Sequence, residues 1–200
     1  MNRTFDHKSK MNILFFNASA FKETCYLLLG NIPNLTTDSN SFSSIIVNGM
    51  LAIEIYLKFL IAMDAPSLNN NPIVSFDHTH NIYDLYKELS PTRQKEIIKE
   101  LHNYDCTTKH FYKFRLASKR AFDNKRNNKF KNGDPINWRY LIVNNKLTYK
   151  FDINTMVKII EVLYKLSQKI INDLHNKPLL PSLSSPALDE ESEKIIKSYI

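Results

Sequence analysis

Residues 45–63 read IIVNGMLAIEIYLKFLIAM, and the fold turns on how this stretch is understood. By length it would suit a membrane span, but Asn48, Glu54 and Lys58 interrupt it. Two charges at mid-depth in hydrocarbon carry a large penalty, whereas a protein interior can pair them. Ile46, Met50, Ile53, Leu57, Leu60 and Ile61 form one broad helical face. Val47, Ala52, Ile55, Tyr56 and Phe59 extend it almost all the way round. A helix apolar on every side belongs at the centre of a bundle. The expected span is Phe42 to Met63, with Glu54 and Lys58 forming an i, i+4 ion pair on the helix surface.

Other helices are expected around this one. Phe15, Ala18, Phe21, Cys25, Leu28 and Leu29 recur at helical spacing between Asn12 and Leu29, and Gly30 and Pro33 end that run. Residues 1–10 read as a polar tail. A short helix is expected at 81–89, with Ile82, Leu85, Tyr86 and Leu89 inward. Ser90-Pro91 then supplies an N-cap followed by proline at the first helical position, opening a helix to His102. A basic helix is expected from Cys106 to Lys125. INWRYLIV at 136–143 and KLTYKF at 146–151 suggest a short hairpin through Asn144-Asn145. Asp152 can cap a helix from Ile153 to His175, whose seam is Met156, Ile160, Leu163, Ile170 and Leu174. The fold class is therefore all-α, an antiparallel helical bundle over 1–177 with a short hairpin near 136–151. A Pro/Ser linker and a short amphipathic helix follow over 178–200.

Composition excludes several functions. Three glycines in 200 residues, isolated at 30, 49 and 133, rule out a P-loop or a dinucleotide-binding fingerprint. Two cysteines without C-x-x-C spacing read as small buried hydrophobes. The polar N-terminus carries no secretory signal, so the expected compartment is the cytoplasm, with no membrane association. No cofactor is implied. His78 and His80 are an H-x-H pair, but no acidic or cysteine partner has ligand spacing, so no metal is expected and His80 is read as organising the next helix. G-x-S-x-G is absent. Asp189, Glu190 and Glu191 read as a solvated helix start.

Charge is the most informative feature. The formal net charge is +7, yet residues 109–131 alone carry nine Lys/Arg against the single acid Asp123. One segment therefore holds the entire basic excess. Phe111, Tyr112, Phe114, Phe122, Phe130, Trp138 and Tyr140 lie among or just beyond these cations. Cations neutralise phosphates and aromatic faces stack on bases, which suits RNA or single-stranded DNA. The competing reading makes the aromatics core and the charges a solvated face. Lys109, Lys113, Arg115, Lys119, Arg120, Lys125 and Arg126 are the candidate phosphate contacts.

Three stretches occur in a suggestive order: AIEIYLKFL at 52–60, HNIYDLYKEL at 80–89 and INWRY at 136–140. Together they resemble the bacterial HEPN-like (higher eukaryotes and prokaryotes nucleotide-binding) proteins, over residues 12–175. The resemblance implies a small antiparallel bundle that commonly dimerises. Many such proteins are metal-independent RNases of toxin–antitoxin or anti-phage systems, using an Arg and a later His separated by four to six residues. This chain departs from that signature. Arg93 stands too far before His102, Arg3 and His7 are too close together, and Arg115, Arg120, Arg126 and Arg139 have no histidine at the required distance. The expectation is a non-catalytic binding or regulatory protein, a homodimer engaging nucleic acid or a protein partner. A divergent RNase would have to draw on His80, Arg93, His102, His110 and Arg139. An antitoxin-like interaction module would use the dimer face or the 179–200 tail.

Overall fold

The computed structural model describes residues 7–31, 39–64, 82–109, 111, 142–143, 146–147 and 152–175. Five helices make up nearly all of them: α1 (His7–Gly30), α2 (Ser39–Asp64), α3 (Ile82–Glu88), α4 (Pro91–His102) and α5 (Ile153–His175). Between α4 and α5, β1 (Ile142–Val143) and β2 (Lys146–Leu147) pair antiparallel, Ile142 with Leu147 and Val143 with Lys146. That pairing has the register expected of a hairpin through Asn144-Asn145. The architecture is all-α and helical-bundle.

The first helix begins at His7, so the expected polar tail gives its second half to α1. Its buried side chains are Met11, Phe15, Ala18, Ser19, Lys22, Cys25, Tyr26 and Leu29. Phe21 and Leu28, expected on that face, are only partly buried at its edge. In their place a lysine occupies the middle of the buried stripe.

Cross-helix contacts give the directions. Phe15 of α1 meets Phe59 of α2, with ring centroids 6.0 Å apart, while Cys25 approaches Gly49 further along, so α1 and α2 run antiparallel. Asn12 bonds His175, and Tyr26 bonds Glu161, so α1 is antiparallel to α5 as well. It follows that α2 and α5 lie parallel, with Gly49 against Met156 and Tyr56 against Tyr164. A Cβ at Gly49 would run into Met156 Sδ and Cε and stand 3.3 Å from Cys25 Sγ. Glycine there lets three helices approach at one level.

The central stretch is packed as its composition demands. Ile45, Ala52, Ile53, Tyr56, Leu57, Phe59 and Leu60 are fully enclosed. One structural consequence corrects the surface ion pair expected within it. Glu54 is only 4% exposed, and its Oε1 lies 2.8 Å from Lys58 Nζ on a side chain 11% exposed. A helix surrounded on most sides leaves no surface for a surface pair. α2 still has the length and composition of a membrane span over 44–64, the one such helix among the described residues. Asp152 caps α5 as expected: its carboxylate accepts from Thr155 N–H at 2.9 Å.

Candidate nucleic-acid interface

The basic surface is built on α4, and the local sequence explains why. Ser90 Oγ accepts from Arg93 N–H at 3.2 Å, and Pro91 follows where no N–H is needed. Gln94 Nε2 donates to the Leu89 carbonyl at 2.9 Å, closing the turn before the helix. Ile97 and Leu101 are the buried positions. At 100° per residue, Lys95, Lys99 and His102 fall on the side opposite them, and all three are exposed. Lys99 and His102 also occupy the last turn, where the helix dipole favours cations.

The two acids of α4 are turned aside from this row. Glu96 Oε2 accepts from Arg93 Nη1 at 2.5 Å, and Glu100 Oε2 accepts from Asn103 Nδ2 at 3.3 Å. Among the described residues, Lys95, Lys99 and Lys109 form no ion pair.

After His102 the chain turns back. Asp105 adopts φ 53°, and Cys106 N–H donates to the Leu101 carbonyl at 3.0 Å. Cys106 and Thr107 are not helical, so the expected start of the basic helix at Cys106 is too early. Lys109 is exposed, while Phe111 is fully buried and stacks on Tyr86 with centroids 4.7 Å apart and planes at 10°. Phe111 thus anchors the entrance of the basic segment to α3, which answers part of the aromatic question in favour of core. Lys113, Arg115, Lys119, Arg120, Lys125 and Arg126 lie outside the described residues.

Of the residues a ribonuclease would need, the two that are described, Arg93 and His102, are not brought together. Arg93 is committed to an interhelical clamp, its Nη2 reaching Asp64 Oδ1 of α2 at 3.1 Å while Ser90 Oγ donates to Asp64 Oδ2 at 2.7 Å. His102 is on the same helix, about 13.5 Å further along the axis and half a turn round it. No single phosphate can touch both in one chain. His80, His110 and Arg139, like His78, lie outside the described residues. No three His, Cys, Asp or Glu side chains among the described residues form a metal-sized group.

One polar constellation escapes the helical-periodicity argument altogether. Lys22 is 0% exposed, with its ammonium held between Tyr26 of α1 and Tyr164 and Glu161 of α5. Its ammonium lies 4.1 Å from the Tyr164 ring centroid, 4.8 Å from that of Tyr26, and 3.9 Å from Glu161 Oε1. Tyr26 donates to the same carboxylate oxygen at 2.5 Å, and Ser19 and Tyr56 hydroxyls lie 3.0 Å apart nearby. Loss of hydration pushes the Lys22 ammonium below the usual lysine value, with Glu161 opposing. Burial drives the Tyr26 and Tyr56 phenols well above theirs. Cation–π contact and a shared carboxylate replace the water Lys22 has lost. With no exposed surface, this lysine serves packing and not substrate. Its signal was present in the chain: Lys22 follows Ala18 by four and precedes Cys25 by three, the spacing of the core stripe itself.

No family model, characterised protein or solved structure matches this chain.

Proposed function

We propose that the chain is a non-catalytic, HEPN-like binding or regulatory protein of the cytoplasm that engages RNA or single-stranded DNA through a basic face. The setting implied by the resemblance is phage defence or a toxin–antitoxin pair. The observation that supports binding is the exposed row Lys95, Lys99 and His102, together with exposed Lys109, the first of nine basic residues in the sequence 109–131. Lysines on a helix that form no ion pair among the described residues need not break one to meet a phosphate backbone. The alternative, a divergent metal-independent RNase, is disfavoured by the commitment of Arg93 to Asp64 and Glu96.

The deciding experiment is fluorescence anisotropy with a labelled single-stranded RNA and the matching DNA, titrated with salt. Binding should weaken steeply as salt rises, with a slope near −0.7 per phosphate contacted. Triple replacement Lys95→Ala, Lys99→Ala and Lys109→Ala should flatten that slope by about 2. No binding at low ionic strength would dismiss the reading. Cleavage of the RNA probe, abolished by His102→Ala, would favour the RNase instead.

A further inference from the structure

The outward face of α1 carries an apolar row with an unusual internal symmetry. Ile13 is 44% exposed, Phe16 53% and Leu27 56%, the largest exposed apolar side chains on this helix. Ala20 and Thr24 are exposed between them. All five lie on the side opposite Phe15, Lys22 and Leu29, and the hydrogen bond and ring contact their side chains make among the described residues, Thr24 Oγ1 to the Ala20 carbonyl and Phe16 to Phe15, are within α1 itself.

Spacing along the row is three, four, four and three residues. It is therefore palindromic about Ala20. An antiparallel helix pair with a two-fold axis at Ala20 sets Ile13 against the partner's Leu27 and Phe16 against the partner's Thr24. The smallest side chain then falls at the crossing, where backbones come closest, and the large ones fall where the helices diverge. Ser9 and Asn31, at the two ends of the row, are uncharged and also match about the same axis.

Charge points to the same occupant. Two copies of a +7 chain repel, and a self-association surface must avoid adding to that repulsion. From Ile13 to Asn31 every exposed residue of α1 is uncharged. An isologous contact requires such self-complementarity, whereas an unrelated partner does not require the palindrome.

We propose that this face of α1 is a homodimer interface, formed by an antiparallel α1–α1 pair centred on Ala20. It holds whatever the basic row of α4 binds. The row spans about 21 Å at 1.5 Å per residue. One helix pair of that length falls below the roughly 1,200–2,000 Å² that stable interfaces bury. The dimer is accordingly reversible, with monomer present at low concentration.

Sedimentation velocity of the full chain over a hundredfold concentration range tests this. The weight-average mass should rise from 23.4 kDa towards twice that value. Ala20→Glu places two like charges on the axis and should hold the mass at the monomer value, with the circular dichroism spectrum unchanged. Ile13→Glu and Leu27→Lys should each weaken the dimer alone, and together restore it, because the axis brings those two positions face to face. A monomer at every concentration overturns the proposal. So does a dimer indifferent to Ala20→Glu, or a dimer that forms only once residues 178–200 are removed, which would make that segment the occupant of the face.

Discussion

Lys22 and the pair Lys95/Lys99 are the same chemical group in opposite circumstances. Lys22 is enclosed by Tyr26, Tyr164 and Glu161, with its ammonium stripped of water. Lys95 and Lys99 project from α4 into solvent, free of ion pairs among the described residues. The first cation is a liability that its neighbours offset. The second two are hydrated charges that a polyanion can claim. A lysine's contribution to stability or to binding is thus set by what lies within a few ångströms of its Nζ, and the two regions should respond oppositely to perturbation.

The largest effect should follow from stripping Lys22 of its counter-charge. Glu161→Ala removes the larger of the two carboxylate charges that favour the buried ammonium and orphans the Tyr26 hydroxyl, costing about 3–5 kcal/mol in urea unfolding. Adding Lys22→Met should recover much of that loss, since an apolar side chain of similar length needs no partner. A cost below about 1 kcal/mol for Glu161→Ala would show that the interior cation does not depend on the carboxylate.

Alkaline pH should expose the interior next. Burial pushes the Cys25 thiol up to about 12 from 9.0, and it raises Tyr26 and Tyr56 above 10.0. Above those ordinary values the unfolded chain ionises while the folded one stays protonated, so stability falls as pH rises. Each such group removes about 1.4 kcal/mol per pH unit. Lys22 acts in the other direction. Its folded value is lowered, so the unfolded chain holds the extra proton up to 10.5, and stability rises with pH through that window. Tyr86, Cys106 and Lys165 are also raised and act with Cys25, Tyr26 and Tyr56, so six groups oppose one, and unfolding free energy measured from pH 8 to 11 should decline, first from about pH 9. Cys25→Ala should delay the onset, and Lys22→Met should steepen the decline. A flat profile would contradict the enclosed geometry of these interior groups.

A smaller loss is expected at the start of α4. Ser90→Ala removes a cap and a donor to Asp64, and should cost about 1 kcal/mol without changing the salt dependence of RNA binding. The smallest stability change belongs to the outer lysines. Lys95→Ala with Lys99→Ala should stay within about 0.5 kcal/mol of the parent, while affinity for a single-stranded probe drops. Equal losses of stability and affinity would mean that α4 is a packing element only.

The contrast also marks how far the amino-acid order could be read. Ser90-Pro91 placed the start of α4 to the residue, because capping is a local hydrogen bond that needs no tertiary partner. Asp152 did the same for α5. The row Lys95, Lys99 and His102 was written at helical spacing, yet the weight of charge at 109–131 drew attention past it. Glu54 and Lys58 were legible as a pair and misplaced on the surface, since i, i+4 spacing gives the partner and not the depth. Lys22 lies on the core stripe of α1 but is polar, so the apolar pattern of that helix does not include it. Its burial depends on Tyr164 and Glu161, more than a hundred residues further on, arriving from α5.

Sequence by itself determined that this chain folds as helices around an apolar centre, where the capped helices α4 and α5 start, and that its positive charge is concentrated after α4. Those properties follow from periodicity, caps and composition, all of which act within a few turns. Only the tertiary structure decided which charges are enclosed and which face water, that Arg93 is spent on Asp64 while Lys95 and Lys99 are not, and that α1 is left with an uncharged symmetric face. The physical reason is that hydration is lost or kept through neighbours distant in the chain, and no local pattern records who those neighbours will be.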